Sequence, residues 1–225
     1  MQPGRQHAVI TGGTGSLGQE IVRALQTPDW LIEAPGSQEL DMRDESAIRR
    51  YFTGRETDLL VCAAGIISDA PLVKLSPAAW QDTWQVNYRG AAACAAAALP
   101  AMIRRNRGHI VFISSYSALH PPVGQAAYAT AKAAMLGLVA DLARRHGRFN
   151  IRINAILPGF MDTPMTKQVT AKRREQVQAD HTLGRFNTCG ATARFIHFLH
   201  HQLPDTSGQV FQLDSRTDLT GICEL

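Results

Sequence analysis

Cysteine is scarce in this sequence and never clustered. Cys62, Cys94, Cys189 and Cys223 stand far apart, with no CxxC pair and no histidine at ligand spacing, so no metal site is expected and buried free thiols in a reducing cytoplasm are. The opening residues MQPGRQH lead into an apolar run of only His7 to Ile10, which lacks the apolar core of a signal peptide. The longest stretch without Asp, Glu, Lys or Arg, Gly108 to Ala131, is interrupted by Ser114, Ser115, His120, Pro121, Pro122 and Gln125, so no membrane span is expected. Charge of one sign is also short: 23 Lys and Arg against 19 Asp and Glu leave +4, a mild excess that does not point to nucleic acid. No repeat, low-complexity tract or linker interrupts the chain.

What remains is 225 residues, 45% of them hydrophobic, enough for one core and near the upper end of what one core organises. Short β-rich apolar runs alternate with longer Ala-rich helical stretches, the pattern that needs crossover connections and a parallel sheet. Strands are expected at Ala8–Thr11, Trp30–Ala34, Asp58–Ala63, His109–Ser114, Ile151–Leu157 and Gln209–Asp214. Helices are expected at Leu17–Leu25, Asp44–Tyr51, Ser76–Asn106, Gln125–His146 and Ala191–His201, with a polar, basic stretch at 163–187. The fold class is therefore α/β, one doubly wound domain over 1–225, whose ligands belong beyond the carboxyl ends of the strands.

Two constellations carry chemistry. Thr11-Gly12-Gly13-Thr14-Gly15-Ser16-Leu17-Gly18 follows the first strand and opens a helix, where glycines let backbone amides approach a pyrophosphate. Alone, such a turn is weak evidence, since a tight strand-to-helix connection without a ligand would look the same; the strand before it and the helix after it favour a dinucleotide. Tyr128 and Lys132 lie one turn apart on one helix face. A cation at ~4 Å is worth about 4 kcal/mol at an effective dielectric of ~20, roughly three pKa units, which would bring a phenol into the range of a general acid or base. A Tyr and a Lys at this spacing are more often a solvated face; Ser115, at the end of a buried strand, changes the odds.

The glycine turn, Cys62-Ala63-Ala64-Gly65, Asn87, Ser115, the Tyr128 and Lys132 pair and Pro158-Gly159-Phe160-Met161-Asp162-Thr163 together resemble the short-chain dehydrogenase/reductase superfamily, from His7 to Asp214. The resemblance implies a Rossmann fold and an NAD(P)-dependent oxidoreductase that interconverts a secondary alcohol and a ketone on a small or medium metabolite. Tyr128 would exchange the proton, Ser115 polarise the carbonyl, Lys132 lower the Tyr128 pKa and hold the nicotinamide ribose, and Asn87 bend its helix and hold a relay water. Thr11, Gly12, Gly15, Ser16, Leu17 and Gly18 would cradle the pyrophosphate. Asp41 and Met42 would meet the adenine, and Ala63, Ala64 and Gly65 the adenosine ribose. Pro158, Gly159, Met161 and Thr163 would line the nicotinamide side. Ser117, Val123 and Phe160 would meet the substrate under a lid at 163–187, and a homodimer or homotetramer through the Ala-rich helices is implied.

Three departures from the family pattern stand out. The Gly12, Gly15, Gly18 spacing matches the epimerase and dehydratase branch, which keeps an epimerase or dehydratase as an alternative beside a non-catalytic dinucleotide-binding regulator. The segment from Trp30 to Asp41 is much shortened, and Glu33 near its strand end would accept from a ribose 2′-hydroxyl, a lean to NAD over NADP. Cys62 replaces the usual Asn at the third strand end, and Ser215-Arg216 a usual Gly-Gly.

Overall fold

A computed structural model describes residues 4–216, so Cys223 and the tail expected after Arg216 lie outside the described residues. Among the described residues, six strands form one sheet in the order β2-β1-β3-β4-β5-β6, every pair parallel: β1 (Gln6–Thr11), β2 (Trp30–Glu33), β3 (Leu59–Cys62), β4 (Gly108–Ile113), β5 (Ile151–Pro158) and β6 (Val210–Leu213). The strand order reverses at β1, flanked by β2 and β3, which opens the crevice where such sheets bind ligands. The central strands β3 and β4 are buried along their whole length, as a sheet covered on both faces requires.

One face is covered by α1 (Ser16–Leu25) and α7 (Cys189–Gln202), which bring Ile21, Leu25, Ile196 and Leu199 against Ile10, Val61 and Val111. The other is covered by α2 (Glu45–Phe52), α4 (Gly90–Arg105) and α5 (Ala126–His146), with Ile48, Phe52, Cys94, Met135 and Val139 on Leu60, Ile110 and Ile153. α5 is apolar and long enough to cross a membrane by length and composition alone; here its Met135 and Val139 are buried in the core.

The expected helix over Ser76–Asn106 is broken in two. α3 (Pro77–Trp84) starts at Ser76, whose hydroxyl accepts from Ala79 N, and ends in a wide π turn at Gln85–Arg89 before α4 begins. The short connection after β2 also has a physical anchor. Leu40 and Met42 are buried in the core, and Asp44 caps α2 by accepting from Ser46 N and Ala47 N, so the chain passes from β2 to α2 with no intervening helix. The basic stretch at 163–187 contains α6 (Ala171–Ala179), capped by Thr170.

Candidate active site

The glycine turn is shaped by contacts that exclude a side chain. Gly12 has φ +69°, and a Cβ there would stand 2.8 Å from Ala64 Cα; one at Gly18 would stand 2.7 Å from Gly13 Cα. The turn is thus pressed against the β3 end and folded on itself. Gly15 caps α1 without offering a side-chain acceptor, so the opening amides around Ser16, Leu17 and Gly18 have no side-chain cap and face the crevice ready for an anion. This backbone fits a dinucleotide pyrophosphate.

Beside it, the π turn, the end of β4 and α5 bring four side chains together. Asn87 is fully buried in the π turn; its amide donates to Ile66 O (2.8 Å) and Thr83 O (2.9 Å), and its Oδ1 accepts from Ile66 N (3.3 Å). The extra residue in that turn carries this amide to the loop after β3, where a Cβ on Gly65 would fall 2.8 Å from Asn87 Oδ1 and 3.5 Å from Lys132 Nζ. Lys132, buried, donates to Ile113 O at 2.9 Å, and its ammonium stands 5.6 Å from the centroid of the Tyr128 ring. The Ser115 hydroxyl stands close enough to the Tyr128 phenol to act on its ionisation. Burial pushes that phenol up to about 12, with the Ser115 hydroxyl opposing and the negative charge of Asp69 adding to the rise. Burial likewise pulls the Lys132 ammonium down to about 8. Desolvation dominates both groups, and the Lys132 ammonium is itself short of hydration.

Glu33, Thr11 and Met42 are engaged away from the crevice, while Asp41 is paired with Arg43 and Val123 stands in solvent. Glu33 does not face the crevice with a free carboxylate: His7 Nε2 lies 2.8 Å from it, Tyr51 donates at 2.7 Å and Arg55 Nε at 3.0 Å. Burial would raise its pKa, but hydrogen bonds from Arg55, Tyr51 and His7 hold it below the usual carboxylate range. The case for NAD drawn from Glu33 falls with it. Thr11 is buried, and its hydroxyl accepts from Ala63 N (3.2 Å) and Ala64 N (3.3 Å), which fastens β1 to β3 instead of reaching the crevice. Met42 is 5% exposed, and its sulfur lies 3.9 Å from Cys94 Sγ in the core. Asp41 accepts from Arg43 N and Nε at 2.9 Å. Val123 is fully exposed.

The other predicted positions follow the carboxyl ends of β3, β4 and β5. Ala63, Ala64 and Gly65 follow β3, half-buried. Pro158 ends β5; Gly159 N donates to Leu213 O at 3.1 Å, and Met161 bridges Asn187. Thr163 N donates to Thr166 Oγ1 in a capping turn. Phe160 packs on Phe186 with ring centroids 4.6 Å apart, under the guanidinium of Arg174, which pairs with Asp162 at 2.6 Å. Ser117 donates to Gln125 Oε1 at 2.9 Å.

Sequence reasoning missed two groups. Asp69 and Gln125 join Ser117 in the network next to Ser115. Behind the 163–187 stretch, buried Asp214 pairs with Arg216 and lies 3.2 Å from His181 Nε2, while the Arg216 guanidinium stacks 3.4 Å from the Tyr116 ring centroid. The only signal for the second was Ser215-Arg216 in place of two glycines.

The family model described as enoyl-(acyl carrier protein) reductase matches residues 19–215. Among curated relatives, the 3-oxoacyl-[acyl-carrier-protein] reductase FabG of Thermotoga maritima is 36% identical over 171 residues, 76% of this chain and 68% of that protein. The acetoacetyl-CoA reductase of Synechocystis is 32% identical over 207 residues, 85% and 86% of the two chains. The (3R)-3-hydroxyacyl-CoA dehydrogenase of Mus musculus is 33% identical over 196 residues, 82% and 76%. A solved putative NAD(P)-dependent gluconate 5-dehydrogenase from Beutenbergia cavernae, with bound NADP at low occupancy, superposes with a TM-score of 0.89 at 25% identity, covering 94% of this chain and 96% of its own. With its six parallel strands, its glycine turn and Ser115, Tyr128 and Lys132 on the expected elements, the chain belongs to the short-chain dehydrogenase/reductase family.

Proposed function

We propose that this chain is an NAD(P)-dependent oxidoreductase that interconverts a ketone and a secondary alcohol, and that its substrates are 3-oxoacyl thioesters. The observation that carries the reading is the gathering of Asn87, Ser115, Tyr128 and Lys132 at the carboxyl edge of the sheet, next to a glycine turn that fits a pyrophosphate. When bound, the nicotinamide supplies or takes up the hydride. Ser115 donates to the substrate oxygen and holds it against Tyr128. The phenol, kept protonated by burial, gives its proton to that oxygen as the carbonyl is reduced, and takes it back in the reverse direction. Lys132, fixed by Ile113 O and adjacent to Asn87 and Gly65, holds positive charge beside the developing phenolate.

The thioester class is supported by the names of the relatives, all reductases or dehydrogenases of 3-oxoacyl or 3-hydroxyacyl thioesters, and by Leu72, Val73, Leu119 and Met165, apolar and exposed on loops beyond β3, β4 and β5. These names also favour this reading over an epimerase or a regulator. The cofactor is NAD or NADP; the solved relative with NADP supports NADP, and no free carboxylate at Glu33 opposes it. The 163–187 segment, laid over Phe160, serves as the substrate lid. The face of α4 carrying Ala92, Ala93, Ala96, Ala97 and Pro100 borders a groove of about 850 Å³ against α2, which supports a homodimer or homotetramer; the free thiols Cys62 and Cys94 support a cytoplasmic location.

The test is absorbance at the nicotinamide band, with acetoacetyl-CoA and with a 5-keto sugar acid, each with NADPH and NADH. Turnover of the thioester, lost in Tyr128→Phe, is expected. Turnover of the sugar acid alone would overturn the substrate class, and an active Tyr128→Phe would overturn the mechanism.

A further inference from the structure

The loop after β3 and the loop before α5 are pinned side by side. Ala70 N donates to Gly124 O at 2.9 Å, and next to that bond runs a chain of side chains. Gln125 Nε2 donates to Asp69 Oδ2 at 2.9 Å, Ser117 Oγ donates to Gln125 Oε1 at 2.9 Å, and Ser117 N donates to Ser115 Oγ at 3.1 Å. The direction of the two side-chain bonds is set at Asp69, and that of the third by the Ser117 amide, which only donates. A carboxylate only accepts, so Asp69 draws the Gln125 amide nitrogen and turns its oxygen toward Ser117. That oxygen takes the only Ser117 hydroxyl proton and so holds the Ser117 residue in place, while the Ser117 amide donates to Ser115 Oγ and leaves that hydroxyl's own proton for the site.

The geometry points to Asp69 and Gln125 as positioning residues that, through Ser117, fix the Ser115 hydroxyl as a donor to the reacting oxygen. The inference rests on the roles proposed above for Ser115 and Tyr128. The charged and titratable groups facing the phenol are Lys132 on α5 and Asp69 from the loop; Cys62 acts on Lys132 from β3.

The test is steady-state kinetics on the whole chain. Asp69→Ala and Gln125→Ala are each expected to lower kcat about tenfold, with the affinity for NADPH, read by fluorescence titration, within twofold of the parent. The double variant is expected to be no worse than either, because both cut one chain. Asp69→Asn keeps an acceptor and removes the charge. It is expected to lose less turnover than Asp69→Ala, and to move the pH limb of kcat in the oxidative direction, which reports the base in the loaded enzyme, down by a few tenths of a unit. A purely structural role would leave that limb in place. Single variants with kcat within twofold of the parent, losses that multiply in the double variant, or an unmoved limb in Asp69→Asn would each overturn the inference. An active Tyr128→Phe would instead remove the reading beneath it.

Discussion

Lys132 loses hydration in the same fold that places it beside Tyr128, and that sets the pH range of the unloaded enzyme. Its ammonium, pulled down to about 8 by burial, is neutral above that pH and no longer stabilises a phenolate. Because kcat/KM reports groups of the free enzyme, kcat/KM for reduction is expected to fall above pH about 8. A profile flat to pH 9.5 would show that Lys132 keeps its proton. A second residue-scale effect lies at the amino end of the sheet. Gln209 N donates to Asn154 Oδ1, which turns the Asn154 amide nitrogen toward His109 Nε2. His109 therefore carries its proton on Nδ1 and donates to His200 Nδ1 at 3.2 Å. Burial, with Arg152 beside them, holds His109 well below its usual pKa and His200 down to about 3. Both are lowered from an unfolded value near 6.5, so the unfolded chain binds more protons between about pH 3 and 6.5 and stability is lost as pH falls through that window. Each costs up to about 1.4 kcal/mol per pH unit. Tm is expected to drop between pH 7 and 5, and less steeply in His200→Gln; equal slopes would refute the assignment.

At the scale of elements, the glycine turn and the π turn hold the two halves of the site. A Cβ on Gly18 meets Gly13 Cα and Gly12 O, so Gly18→Ala is expected to cost about 1–3 kcal/mol of stability and to weaken NADPH binding at least tenfold, checked by thermal melts and titration. Unaltered affinity would mean that the turn yields. Asn87→Ala removes three hydrogen bonds to Ile66 and Thr83, and a loss of kcat greater than the loss of cofactor affinity is expected from stopped-flow and binding measurements. These elements were legible in the sequence to different degrees. Tyr128, Lys132, Ser115 and the glycine turn could be placed because short-range spacing on one helix, or one strand end, decides where they point. The break at Gln85–Arg89 was not legible in the apolar pattern, which one extra residue in a helical turn leaves almost unchanged; only the family resemblance at Asn87 implied a bend there. Glu33 was placed on the right strand and given the wrong partner: His7, Tyr51 and Arg55 come from three separate segments, and no local pattern announces their meeting. Asp69 with Gln125, and His181 with Asp214, were hidden for the same reason.

Across the whole molecule, β2 is an edge strand with Leu31 exposed, while the α4 groove lies on the opposite face from α1 and α7. If that groove binds a second copy, light scattering will give at least twice the 24.6 kDa of the chain, and Ala96→Glu is expected to return it to monomer mass without unfolding. A parent at monomer mass would refute the assembly. The stacking of Arg216 on Tyr116 reaches across 100 residues of sequence. During synthesis, the glycine turn, Ser115, Tyr128 and Lys132 all leave the ribosome before the residue that braces the loop beside Ser115. A nascent chain halted before Val210 would thus carry the complete set of reacting groups on a sheet still lacking β6, and activity would arise only once the stretch through Arg216 is made, not gradually before it.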